Sequence, residues 1–155
     1  MVSSEVVEYC RQLTDVGIDN EPLEHPASRE IRGVLDALGL DFEDCVPALV
    51  MMADGAPVVI VIRGDTRADS KKIKRLLNAH DLRMATPAEF EAIAHVPLGA
   101  ARVYNPGIRT IIDEKVFEKE YLTGGSGRFD VSIRVRTNDL RKMPDSEVGD
   151  VSKAA

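Results

Sequence analysis

The sequence predicts an α+β domain, a mixed β-sheet surrounded by helices. Helix-period and strand-period segments are interspersed, with a hairpin early and adjacent short strands late, rather than alternating as βαβ units. Two apolar stretches, residues 46–52 and 57–62, flank Ala53-Asp54-Gly55-Ala56, where Asp-Gly accepts the positive φ of a tight hairpin turn. The second stretch, Val58-Val59-Ile60-Val61-Ile62, is apolar on both faces, so it belongs in the middle of a sheet that helices cover on both sides. At 155 residues, 44% hydrophobic and 30% charged, the chain falls within the range of one ordinary domain.

Each element has its own signal. Val6, Cys10 and Leu13 recur at helical spacing, so residues 4–16 form an amphipathic helix that Gly17 ends, and residues 18–26 follow as an extended segment. Ile31, Val34, Leu35 and Leu38 make a one-sided stripe closed by Gly39, the residue type favoured just past a helix. Asp69 caps a helix whose Ile73, Leu76 and Leu77 face inward while Lys71, Lys72, Lys74 and Arg75 stay solvated. After a short strand at 82–85, Thr86-Pro87-Ala88-Glu89 is a capping box with proline at the first helical position, and Phe90, Ile93 and Ala94 are the buried face of its helix.

Residues 95–107, with two prolines, two glycines and no period, read as an ordered loop long enough to carry a site. Strand-like pieces follow at 109–113, 120–123 and 129–136. The last alternates Phe129, Val131, Ile133 and Val135 inward with Asp130, Ser132, Arg134 and Arg136 outward. Thr137 caps a final helical turn through Leu140. Residues 1–143 are expected to make a single domain, and residues 144–155 a disordered acidic tail.

Composition excludes several functions. Twenty Lys and Arg against 26 Asp and Glu leave a formal charge of −6, which argues against an extended groove for DNA or RNA, though not against contact with one RNA end. No apolar run approaches the roughly 20 residues that span a bilayer, and Glu5 and Glu8 interrupt any leader-like pattern. Cys10 and Cys45 do not make a disulfide framework, and with three His there is no cluster of metal-ligand spacing. The expectation is a cytoplasmic protein with free thiols, no metal and no cofactor.

Residue by residue, few positions suggest chemistry. Thr123-Gly124-Gly125-Ser126-Gly127 follows a strand, and its glycines read as a plain turn or as a nest whose amides cradle an anion. Asp130, the single acid in the outward row of the last strand, is either solvated or positioned to orient an amine or a sugar hydroxyl. His25, before Pro26, reads as a capping or packing residue ahead of an acid-base one. Cys45 has no evident His partner and reads as packing.

The order of the elements and the words within them resemble the YbaK/ProX aminoacyl-tRNA editing domain family, from about residue 23 to residue 143. The words are Leu23-Glu24-His25-Pro26, the hairpin with Ala53-Asp54-Gly55-Ala56-Pro57-Val58, Gly64-Asp65 leading to Asp69-Ser70-Lys71-Lys72, Ala85-Thr86-Pro87-Ala88-Glu89, Thr110-Ile111-Ile112-Asp113, Tyr121-Leu122-Thr123-Gly124-Gly125 and Asp139-Leu140. The resemblance implies a barrel-like mixed sheet with a pocket for the aminoacyl adenosine at the 3′ end of a tRNA. It also implies hydrolysis of wrongly charged tRNA, no cofactor, and an aminoacyl-tRNA synthetase as a further partner.

The same resemblance assigns roles. Gly99, with Ala100 and Arg102 in the same loop, matches the segment whose amides hold the substrate ester. Thr123, Gly124, Gly125 and Asp130, with His25, match positions that line the pocket. Pro47 stands in Pro47-Ala48-Leu49 where the family carries a lysine, and the bases that usually follow the double glycine are displaced to Arg128. Arg102 or Arg128 is then expected to return a positive charge to the pocket from another wall. Three readings follow: a deacylase of altered specificity, a catalytically silent relative that binds a tRNA end, a nucleotide or a protein, and a hydrolase of small amino-acid esters.

Overall fold

The computed structural model describes residues 2–155. Among the described residues four α-helices, α1 (Ser4–Asp15), α2 (Ile31–Leu38), α3 (Ser70–Leu77) and α4 (Pro87–Ala94), are interspersed with ten strands. These are β1 (Asn20–Glu24), β2 (Ala48–Ala53), β3 (Ala56–Val61), β4 (Thr66–Ala68), β5 (Leu82–Met84), β6 (Thr110–Asp113), β7 (Tyr121–Gly125), β8 (Val131–Arg136), β9 (Ser146–Gly149) and β10 (Ser152–Ala154). No helix among the described residues is long and apolar enough to cross a membrane.

The strands form three sheets: β5-β2-β3-β6-β9, β1-β8-β7 and β10-β4. The largest is mixed, antiparallel across β5, β2 and β3 and parallel from β3 through β6 to β9. The barrel-like closure that the resemblance implies is absent: the sheet stays open. A single parallel bridge, Cys45 with Thr123, links the approach to β2 with β7, because further along β2 the same edge is taken by β5 through Met51, Met52 and Ala53.

Local signals set most elements. Asp54 and Gly55 both have positive φ, 49° and 80°, and make the two-residue hairpin turn between β2 and β3. Asp69 accepts from the amides of Lys71 and Lys72 at 3.0 and 3.2 Å, and Thr86 and Glu89 close the capping box of α4. Gly39 ends α2 in the left-handed region at φ 69°. In α1 the third core residue is Tyr9, with Cys10 only half-buried.

Strand β3 is buried on both faces. Val59 and Val61 join Ala48, Val50 and Ile112 in a core shared with α1, α4, β7 and β8, while Val58 and Ile60 join Met51, Ile111 and Ile73 in a second core under α3. The two hydrophobic layers give the large sheet its cover, and the first of them spaces it from the three-stranded sheet.

Three expectations are corrected. Residues 144–155 are ordered: β9 extends the large sheet beside β6, and β10 pairs with β4. Burial supplies the reason. Val151 is fully enclosed in the second core, and the buried Asp113 carboxylate accepts from the Val151 amide at 2.9 Å and the Ser152 hydroxyl at 2.8 Å. Thr137 does not cap the turn at Thr137–Lys142; its hydroxyl donates back to the carbonyls of Lys119 and Glu120. Gly124 and Gly125 form neither turn nor nest, since they lie within β7, paired with Ile133 and Ser132.

Candidate functional site

A cavity of about 370 Å³ opens between the start of β2, α2, the loop at 98–101 and the end of β7. That volume lies within the roughly 300–1,000 Å³ of small-ligand sites. Its walls are mostly apolar: Ile31, Val34 and Leu35 from α2, Ala48 and Val50 from β2, and Phe90 from α4. Ile31, Met84 and Leu98 lie on its lining and stand exposed, so the cavity has an apolar rim.

Glycines bring these walls together. The Val46 amide donates to the Thr123 carbonyl at 2.9 Å, which draws the approach to β2 against β7. A Cβ on Gly124 would lie 3.1 Å from both Cγ1 and the carbonyl oxygen of Val46. One on Gly125 would lie 2.1 Å from the carbonyl oxygen of Ala101. The double glycine therefore serves close packing of strand against strand and strand against loop.

A few polar groups face this space. Gly99, at φ 96°, lines the cavity and its amide donates to no other described residue. The Thr123 hydroxyl likewise has no partner among the described residues. Ser132 lines the cavity too, with its Oγ 2.9 Å from His25 Nε2. The cation on the lining is Arg29, whose guanidinium lies 4.6 Å above the Phe129 ring and forms no ion pair among the described residues.

Pro47, Gly99, Thr123, Gly124 and Gly125 thus line one cavity, and His25 bonds to Ser132 on that lining. The remaining candidates are elsewhere. Ala100 is buried off the cavity, with its amide donating to Pro97 at 3.1 Å and its carbonyl accepting from Gly127 at 3.0 Å, so it holds the loop rather than a ligand. Arg102, Arg128 and Asp130 line, with Phe129, a second cleft of about 540 Å³.

The expected return of positive charge from Arg102 or Arg128 fails on the same geometry. Arg102 Nε donates to the Ser126 carbonyl at 3.0 Å and the guanidinium lies over the Tyr9 ring. Arg128 grips Asp130 through two bonds of 2.9 and 3.1 Å. That guanidinium is the chief reason the Asp130 carboxyl sits below its ordinary range, with a smaller pull from His25.

Sequence patterning missed two residues. Ser132 belongs by alternation to the outward row of the last strand, but there the outward face of β8 is the cavity. Arg29 had only its place ahead of α2 to recommend it. Cys45 is buried against Gly64, and burial, then the carboxylates of Asp44 and Asp65, push its thiol up to about 11, in keeping with packing.

Comparison with known proteins adds to this geometry. A family model described as aminoacyl-tRNA editing domain matches residues 25–143. A proline–tRNA ligase of Geobacter metallireducens is 32% identical over 109 residues, 70% of this chain and 19% of that protein. One from Nitratidesulfovibrio vulgaris is 35% identical over 103 residues, 66% of this chain and 17% of that protein. The chain thus spans about a fifth of the length of these relatives.

Among solved structures, hypothetical protein APE2540 superposes with a TM-score of 0.86 at 22% identity, covering 97% of this chain and all of that one. A candidate trans-editing enzyme for prolyl tRNA synthetase also gives 0.86, at 20% identity, covering 99% of this chain and all of its own. At those identities the likeness is one of fold.

Proposed function

This chain belongs to the aminoacyl-tRNA editing domain family, and from that premise we propose that it is an aminoacyl-tRNA deacylase, hydrolysing the ester of wrongly charged tRNA in trans. The observation that carries this reading is the cavity between Pro47, Gly99 and the Thr123-Gly124-Gly125 strand end, open at an apolar rim. The 3′-terminal aminoacyl adenosine enters there. The free Gly99 amide and the Thr123 hydroxyl supply donors for the ester carbonyl as negative charge develops on its oxygen. A water or hydroxyl adds to the carbonyl carbon, the bond to the ribose oxygen breaks, and that oxygen takes up the proton.

Arg29 at the mouth is the group suited to an RNA phosphate. Charged tRNA as substrate places the protein in the cytoplasm, with an aminoacyl-tRNA synthetase as the enzyme whose errors it removes. The test is deacylation across a panel of charged tRNAs. At least one ester should be cleaved faster than in buffer and in preference to small amino-acid esters. Buffer-rate hydrolysis of every tRNA would sink the reading.

A second reading is favoured by Pro47 itself. With proline in place of a cationic side chain, the cavity has an apolar wall where a pocket charge is expected, which suits a silent relative that binds a charged tRNA end without cleaving it. Such a protein would shield the ester from hydrolysis in the same assay.

A further inference from the structure

Beside the amide donors, the cavity holds a hydroxyl already bonded to a nitrogen base. His25 Nδ1 lies 3.0 Å from the Pro26 carbonyl oxygen. A carbonyl oxygen only accepts, so in the neutral form of the ring Nδ1 carries the proton and Nε2 presents a lone pair. That lone pair faces Ser132 Oγ at 2.9 Å, and the serine hydroxyl donates to it.

Both residues are held by the sheet. The His25 amide donates to the Asp130 carbonyl at 3.0 Å, and Ser132 sits in the centre of the three-stranded sheet between Leu23 and Gly125. Ser132 is 6% exposed and lies on the cavity lining, while His25 is off that lining. Gly125, its cross-strand partner, has no side chain with which to cover the hydroxyl. A hydroxyl on the substrate side, a base behind it and a third group fixing the base is the arrangement that activates a serine.

We propose that Ser132 is the nucleophile of the deacylation, with His25 as its general base and the Pro26 carbonyl as the group that orients the imidazole. The proposal rests on the deacylase reading for its substrate. Ser132 Oγ adds to the ester carbonyl carbon and its proton passes to His25 Nε2. The bond to the ribose oxygen breaks, and His25 returns the proton to that oxygen, leaving the amino acid esterified to Ser132. Water then adds to this acyl group, His25 takes the water's proton and delivers it to Ser132 Oγ, and the free amino acid departs. A nucleophile of this kind gives the cavity a catalytic group that does not depend on a cation at position 47.

The full chain is treated with a fluorophosphonate probe and mapped by peptide mass, alongside deacylation of the charged-tRNA panel. The expected result is an adduct on Ser132, absent in Ser132→Ala and at least 10-fold slower to form in His25→Gln, with deacylation lowered at least 100-fold in Ser132→Ala. Unfolding midpoints of the variants show that they fold, and Ser132→Cys, which keeps a nucleophile of similar size, should be alkylated at position 132 far faster than at Cys45. A wild-type chain that deacylates tRNA, stays unlabelled and loses nothing in Ser132→Ala overturns the proposal and leaves the deacylase reading standing. A chain labelled at Ser132 that cleaves no charged tRNA supports the nucleophile and removes the deacylase reading instead.

Discussion

A methyl group on Gly125 would stand 2.1 Å from the carbonyl oxygen of Ala101. The strand end and the long loop therefore touch backbone to backbone, and this contact sets the width of the cavity between them. Gly125→Ala forces the loop away and should cost about 1–3 kcal/mol through overpacking. The expected outcome is a lower unfolding midpoint together with a loss of deacylation. An unchanged midpoint would mean that the loop yields freely.

Gly99 is a different kind of glycine. A Cβ there meets Phe129 at 3.5 Å and the Arg29 carbonyl at 3.7 Å, ordinary contacts, but φ is 96°. Gly99→Ala should therefore cost about 1–2 kcal/mol from backbone conformation rather than collision. Measured by urea unfolding, the double variant with Gly125→Ala should be less destabilised than the two singles imply, since both act on one loop.

Position 47 tests the cavity's charge. Pro47 contributes only its carbonyl to the sheet, accepting from the Ile62 amide at 3.2 Å, so a side chain change leaves that bond in place. Pro47→Lys brings an ammonium group to the cavity wall and is expected to raise the deacylation rate about 10-fold or more if the developing oxyanion lies within its reach. No increase would mean that the lysine leaves the cavity for solvent.

Asp113 holds the last residues in place. Its buried carboxylate accepts from the amides of Lys115 and Val151 and from the Ser152 hydroxyl. Asp113→Ala strands these donors and should cost about 2–4 kcal/mol, since each buried donor left unpaired costs roughly 1–3 kcal/mol. Limited proteolysis should then cut within residues 144–155, a cleavage the intact protein is expected to resist.

Glu89 gives a pH signature. The Arg83 guanidinium, then the Thr86 amide it accepts from in the capping box, hold its carboxyl down at about 2 against an ordinary 4.5. The folded state binds this proton later than the unfolded chain does, so the stabilisation is complete above pH 4.5 and fades as pH falls toward 2. The gap in unfolding midpoint between the protein and Glu89→Gln should narrow across that window. A constant gap would place the effect in the helix cap's shape rather than its charge.

Much of the fold was legible in short stretches. The Asp54-Gly55 turn, the Asp69 and Thr86 caps, the Gly39 stop and the doubly apolar β3 each depend on residues within a few positions of one another, and each appears where patterning placed it. The tail did not declare itself, because Val151 is apolar only in isolation and finds its core through β9 and Asp113, contacts made across about 40 residues.

The candidate site divided along the same line. The residue types for it, two glycine-bearing segments, a hydroxyl and a histidine, are given by the order of words in the chain, and with them the family. Their sorting into one cavity or another was not. Gly99 and Arg102 are three residues apart yet line different cavities, and Ser132 and Asp130 two residues apart do the same. Neighbours along a chain share a strand or a loop, but which wall each side chain joins depends on the packing of β7 against that loop, and a linear pattern holds no record of an approach between backbones so distant in sequence.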